Sequence, residues 1–436
     1  MDPLLKVDFP GSSIVFPAPS LFGWNKPWCN GPMSNETKKL RLGIVGLGAM
    51  GHPHVGFALN TPEVELTALC DTDPARIEKV RQSYFSGSPQ NASAPAISSS
   101  AQPVFQGGRP ATEFPPTFDS AQKMMDSGLI DGILISVPHY DHEPIALAAW
   151  ARGIHVLCEK PIMVTVQGAR TMIAAWEAGK KSHPHLVFAA MFMQRTWGHW
   201  KKVKDLISTG ELGRIVRTTW IVTDWFRTGK YYSSGGWRAT WNGEGGGVLT
   251  NQSPHNLDLL QWFLGMPEKI TAFGGLGKYH AIAVEDEVSA TLQYADGSIA
   301  HFITSTAESP GTNRLEIVGE NGKLVYENNV LTFHRNRSSM KLWSDTTDQM
   351  YSGPECWTFP VPFTHHGESG HRLVLQNFAR HILFQEPLVA PGPEGIRQVT
   401  LTNAMMVSLL TGRTVTPAQA DEFEGLLNDL RKKERG

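Results

Sequence analysis

Lys160 ends the apolar run Ile154-His155-Val156-Leu157-Cys158-Glu159 and is followed by Pro161. A short apolar run opened by a glycine and closed by a proline reads as a buried parallel strand. Residues after such a strand sit at its carboxyl end, where open α/β sheets bind ligands. Lys160 then stands as a cation at the mouth of a crevice; the plainer reading is a surface lysine closing a strand. A second stretch with chemical potential is Asn251-Gln252-Ser253-Pro254-His255, entered through Gly245-Gly246-Gly247. Pro254 suits a first helical turn. If the helix already covers Asn251, its side chain shares a face with His255. Histidine exchanges protons near neutral pH. A lone helical histidine is more often structural, but one facing a strand-end lysine is a candidate general base.

What must hold these residues is legible upstream. Residues 41–46 begin a strand, and Gly46, Leu47, Gly48, Ala49, Met50 and Gly51 form a full GxGxxG before a helix through Leu59. A second strand, Val64–Cys70, runs into Asp71, 25 residues after Gly46. Strand, glycine turn, helix, strand and acid together make a dinucleotide fingerprint, in which a pyrophosphate sits on the helix N-terminus. A carboxylate at Asp71 accepts from the ribose hydroxyls and repels a 2′-phosphate, so NAD is favoured over NADP. The next strand, 131–137, delivers Pro138 and His142 to the same edge. With Glu159 and Lys160 they complete the expected cofactor set.

Strand and helix alternate as in a doubly wound parallel sheet. After Gly213 the texture changes. Segments 215–222, 287–294, 298–304 and 314–319 are β-rich and joined by turns such as Asp296-Gly297 and Glu320-Asn321-Gly322. Residues 370–383 and 395–411 read as closing helices. The expected fold is an α/β Rossmann domain over 41–165, then an α+β domain over 166–436 with a large, mainly antiparallel open sheet. Residues 1–40 are an aromatic, Pro/Gly-rich arm without the pattern of a signal peptide. Residues 86–117 are a Ser/Pro/Ala/Gly-rich insertion on the nucleotide domain.

A formal net charge of -2 offers nothing to nucleic acid or an anionic membrane surface. There is no 18-residue apolar run. The four cysteines lack CxxC pairing, which excludes a zinc knuckle and fits a reducing, cytoplasmic setting. No metal is expected. From Trp220 to Trp241 seven aromatics are interleaved with Arg227, Lys230 and Arg238. Such a stretch is either a carbohydrate pocket or a mini-core under a long loop.

Assembled, these residues resemble the Gfo/Idh/MocA family of oxidoreductases. The likeness covers about 41–418 apart from the insertion. It rests on GLGAMG, on CEKP at 158–161, on STGELG at 208–213, on 231–262 and on GRTVTP at 412–417. It implies a soluble NAD-dependent oxidoreductase acting on a secondary alcohol of a sugar, cyclitol or glycoside. It also implies a homo-oligomer, dimer or tetramer, built through the open sheet. By resemblance Lys160 contacts the reacting hydroxyl and His255 takes its proton. Arg195, Trp225, Arg227, Trp237 and Asn251 would shape the sugar pocket. Many relatives carry Asp where Asn251 stands; the asparagine fits a branch with an NQxPH pattern and cannot serve as a charged acceptor. Two alternatives stay open: a redox-neutral glycosidase that recycles its NAD within each turnover, and a non-catalytic NAD-binding regulator.

Overall fold

The computed structural model describes residues 6–9, 12–15, 38–86, 113–364 and 369–435. Most of the expected arm and insertion lies outside them. Within residues 1–37, strands β1 (Lys6–Phe9) and β2 (Ser12–Val15) pair antiparallel.

Residues 38–436 form one compact unit. Its first half is a parallel sheet ordered β5-β4-β3-β6-β7-β8. The strands are β3 (Leu40–Val45), β4 (Val64–Cys70), β5 (Thr117–Phe118), β6 (Gly132–Ile135), β7 (His155–Cys158) and β8 (Phe188–Ala190). Between them run α1 (Gly51–Leu59), α2 (Pro74–Tyr84), α3 (Ala121–Asp126), α4 (His142–Trp150) and α5 (Val166–Gly179). A sheet covered on both faces needs nearly continuous apolar strands, and β6, Gly-Ile-Leu-Ile, is buried throughout. Alternate residues face opposite layers. Ile133, Ile135 and Val156 pack with Ala146, Ala149 and Trp150 of α4. Leu134 and Leu157 pack with Val55 of α1 and with Val374, Leu375 and Phe378.

Those last three belong to α10 (Gly370–Phe384), far along the chain. The boundary expected at residue 165 is therefore too early. The parallel sheet takes β8 from beyond it, and its α1 layer is completed by α10. Leu134 and Leu157 would otherwise show an apolar face to water.

The second sheet is ordered β10-β11-β12-β9-β13-β14-β15-β16, antiparallel except where β12 meets β9. Its strands are β9 (Ile215–Val222), β10 (Lys269–Leu276), β11 (Glu285–Gln293), β12 (Ile299–Ser305), β13 (Asn313–Gly319), β14 (Gly322–Glu327), β15 (Val330–Asn336) and β16 (Cys356–Pro360). Helices α6 (Gly198–Ser208), α7 (Gly229–Tyr232), α8 (Pro254–Leu264), α9 (Met340–Thr346), α11 (Gly395–Thr411) and α12 (Glu422–Arg435) complete the half. One face is sealed by aromatic packing: Trp220 of β9 lies 5.2 Å from Trp200 of α6 and 6.3 Å from Phe263 of α8, ring centre to ring centre. The other face is less buried and mixed. Arg217 pairs with Glu316 across strands, and Ile221, Ile299 and Ile303 stand beside them.

Candidate active site

The glycine turn is shaped by what it must avoid. Gly46 has φ +86, and a Cβ there would lie 2.4 Å from the Ser136 carbonyl oxygen. A Cβ on Gly51 would lie 1.7 Å from the Gly46 oxygen. At Gly48 a Cβ meets only the Arg76 guanidinium, at 3.6 Å. The first and third glycines thus close the turn, and the second leaves its outer side open above the start of α1. That is the space a pyrophosphate needs, so these residues fit a dinucleotide. Asp71 is buried at the end of β4. Its carboxylate accepts from Leu47 N at 2.7 Å and Asp73 N at 2.8 Å. Two backbone bonds leave capacity among its four lone-pair sites for ribose hydroxyls. Arg76 stands 3.6 Å away.

Two expected cofactor contacts are corrected by the geometry. His142 has both ring nitrogens against backbone carbonyls, Val137 O and Pro161 O, each at 3.0 Å. It is fully buried and spaces the loops after β6 and β7. Glu159 turns inward: one carboxylate oxygen meets His54 Nε2 of α1 at 2.7 Å, and the other accepts from Lys160 N. Burial opposes its charge, but His54 and the nearby cations hold its pKa below the usual carboxylate range. Pro138, by contrast, is exposed beside the turn.

Lys160 is half-buried, and its Nζ donates to the backbone oxygen of Asn251 at 2.7 Å. The contact crosses from the parallel sheet to the second half of the molecule. Burial lowers the Lys160 pKa, Glu159 and Glu244 oppose this, and Arg238 and Arg227 add to it. α8 begins at Pro254, so Asn251 precedes the helix in a separate turn of the chain. That turn hangs on Glu285 of β11, whose carboxylate accepts from Gly247 N at 2.8 Å and Leu249 N at 3.0 Å. His255 lies in the first turn of α8, buried, with its ring near that of Phe192. Its Nδ1 has no hydrogen-bond partner among the described residues. Burial, then the charge of Lys160, then His371, push its pKa well below 6.5. The imidazole is therefore neutral at physiological pH and able to accept a proton.

Sequence reading missed Glu244. This buried carboxylate accepts from Ala239 N at 2.7 Å and from the Asn251 side-chain amide, and lies 3.8 Å from Arg238. Burial raises its pKa. It restores an acid beside a position where the sequence offers only an amide. Its one signal was an acidic residue directly before three glycines. Its backbone oxygen meets His139 Nδ1 at 2.9 Å, and Tyr140 OH donates to Trp241 O at 2.8 Å. Both contacts clamp the aromatic loop onto the parallel sheet. From the far side Glu434 of α12 accepts from Trp241 N and Asn242 N.

The aromatic stretch divides between its two expected roles. Trp220 and Trp241 are core. Trp225, Tyr231 and Trp237 are half-buried and carry guanidiniums: Arg227 sits 5.1 Å from the Tyr231 ring centre and Arg238 4.9 Å from that of Trp237. Arg195 is not part of this surface. It is 1% exposed, forked onto Asp258 at 2.7 and 2.8 Å and paired with Glu394 at 2.7 Å. A guanidinium so saturated has no free face for a sugar, and its expected role there is withdrawn.

With this geometry in hand, two family profiles match the chain. One, described as an oxidoreductase family with an NAD-binding Rossmann fold, covers residues 40–183; the other, the GFO/IDH/MocA C-terminal domain, covers 200–325. The chain is 27% identical over 227 residues to the rhizopine catabolism protein MocA of Rhizobium meliloti, across 52% of this chain and 58% of that protein. It is 26% identical over 290 residues to a D-glucoside 3-dehydrogenase of Escherichia coli, across 62% of this chain and 70% of that protein. The fold also superposes on the WlbA dehydrogenase from Bordetella pertussis, solved with NADH and UDP-GlcNAcA. The TM-score is 0.67 at 22% identity, over 87% of this chain and 99% of that one.

Proposed function

The chain belongs to the Gfo/Idh/MocA oxidoreductase family, and from that premise we propose that it transfers hydride between a secondary alcohol of a sugar, cyclitol or glycoside and NAD. The observation carrying this reading is a strand-end ammonium, Lys160, whose charge acts on the neutral imidazole of His255, whose Nδ1 has no partner among the described residues. Bound NAD supplies the hydride acceptor. Lys160 supplies a positive charge where the alcohol oxygen becomes alkoxide-like. His255 takes the hydroxyl proton. Asn251, held by Glu244, offers its amide to a neighbouring hydroxyl, in keeping with the NQxPH branch, while Trp225 and Trp237 offer ring faces to the sugar. Incubating the protein with NAD and a panel of aldohexoses, glycosides and cyclitols, and following nicotinamide reduction, tests this. No reduction by any member would count against it.

NAD is the proposed cofactor because Asp71 is a buried acid where a 2′-phosphate would approach. Isothermal titration should give tighter binding of NAD than of NADP. Asp71→Ala should weaken NAD and, by freeing Arg76, strengthen NADP, which narrows the gap. Tighter NADP binding by the unaltered protein would sink the assignment.

We also propose a homo-oligomer in a reducing, cytoplasmic setting. The supporting surface is the less buried face of the second sheet. Its ion pairs temper the expectation of a bare apolar face, but Ile299 is exposed there and Ile221 and Ile303 are only half-buried. Light scattering at micromolar concentration should give a multiple of the chain mass; the mass of one chain would remove the proposal. Among the described residues no helix is long and apolar enough to cross a membrane.

A further inference from the structure

Beside the Lys160–His255 pair lies a cluster of cations with no part in proton or hydride transfer. Three donors converge on the Tyr231 hydroxyl oxygen: Arg238 Nη1 at 2.8 Å, Asn251 Nδ2 at 3.2 Å and Gln252 Nε2 at 3.2 Å. A hydroxyl oxygen has two lone pairs, so one donor is in surplus. Arg227 also leans on this ring, 5.1 Å from its centre, and sits 5.8 Å from that of Trp225. Among the described residues its one hydrogen-bond acceptor is its neighbour's carbonyl, Phe226 O at 3.0 Å, and its Nε is buried without a partner. No carboxylate among the described residues comes within ion-pair distance of it. Its backbone is nonetheless fixed, since Arg227 N donates to Thr306 O at 2.8 Å and Arg227 O meets His280 Nε2 at 2.9 Å. A pinned, unpaired guanidinium between two aromatic faces is built to receive a planar anion.

We propose that Arg227 and Arg238, around the Tyr231 hydroxyl, form a carboxylate subsite, and that the substrate is an acidic sugar such as a uronate. This rests on the hydride-transfer reading above and narrows its substrate class. Lys160, Arg227 and Arg238 face three acids, Glu159, Glu244 and Asp224, of which Glu159 is held by His54. Glu244 is already taken by Ala239 N and Asn251, so it leaves the outer guanidinium edge free.

The test uses the full chain loaded with NAD. Binding of D-glucuronate and D-galacturonate is measured by titration against D-glucose, D-galactose and a hexose phosphate, and nicotinamide reduction is followed in the same samples. The uronates should bind at least about tenfold more tightly than the matched neutral sugars, as expected of one charge-assisted fork. Arg227→Gln should abolish most of that preference, and Arg227→Lys should restore it only in part. Unchanged NAD affinity and melting temperature confirm that the variants fold. Preference for neutral sugars, or for the hexose phosphate, overturns the subsite, as does a preference that survives Arg227→Gln. Binding of no sugar also overturns it. Uronate binding that depends on Arg227 but never reduces the nicotinamide upholds the subsite and sinks the redox reading instead.

Discussion

Lys160→Met should lower turnover by roughly 10²–10³-fold, the usual worth of one preorganised charge at a developing oxyanion. The reason lies in where the ammonium is held. It is anchored on the Asn251 carbonyl at 2.7 Å, so the charge is in place before the alkoxide forms. Methionine fills similar volume without a donor or a charge. NAD affinity should fall little, because the turn at residues 46–51 and Asp71 are untouched. Stopped-flow measurement of nicotinamide reduction, beside a titration of NAD binding, separates the two effects. A variant that keeps turnover within a few-fold of the parent would remove Lys160 from the chemistry.

His255→Ala should cost roughly 10²–10⁴-fold, the range for a positioned general base. Its pH dependence carries more information than its size. Burial and Lys160 lower the His255 pKa, so the imidazole stays neutral until the pH drops well below 6.5. Alcohol oxidation should therefore hold its rate through neutral pH and fall on the acid side as the base becomes protonated. His255→Ala should flatten that limb. The opposite limb should belong to Lys160, whose pKa burial lowers from 10.5, with rate lost as the ammonium deprotonates; Lys160→Met should erase it. An acid limb that persists in His255→Ala would assign the base elsewhere, with Glu244 the first candidate. The same two variants separate the competing chemistries. A net dehydrogenase forms NADH in step with product. A redox-neutral glycosidase releases aglycone with no net NADH yet still requires NAD and Lys160.

The parallel half was readable because each device there is local. A buried strand, a glycine turn and a strand-end acid are contiguous, and their residues fall where the pattern puts them. In the antiparallel half β9, β11, β12 and β13 were read, whereas β10 and the strands after β13 were not. β14 and β15 join through Asn328-Asn329, both at positive φ, 50° and 60°. That is the backbone of a tight hairpin turn without the glycine that usually signals it. At the site, residue type survived folding better than role. Lys160 lies near enough to His255 for its charge to lower the imidazole pKa. Arg195, Glu159 and His142 have the right chemistry but spend it on Asp258, His54 and two backbone carbonyls, partners up to 105 positions distant. Glu244 was invisible for the converse reason. Its meaning comes from Asn251, Ala239 and Arg238 closing around it, and that closure depends on His139 and Glu434 holding the loop from opposite sides.

Hydride should pass between a substrate carbon and the nicotinamide next to Lys160. Sugars deuterated at every ring carbon, incubated with NAD and the protein, report on this directly. Mass spectrometry of the recovered cofactor should find deuterium on the nicotinamide ring with the unaltered protein, and in the same time roughly 10²–10³-fold less with Lys160→Met. A substrate that is converted by the unaltered protein while the nicotinamide remains free of deuterium would contradict the account.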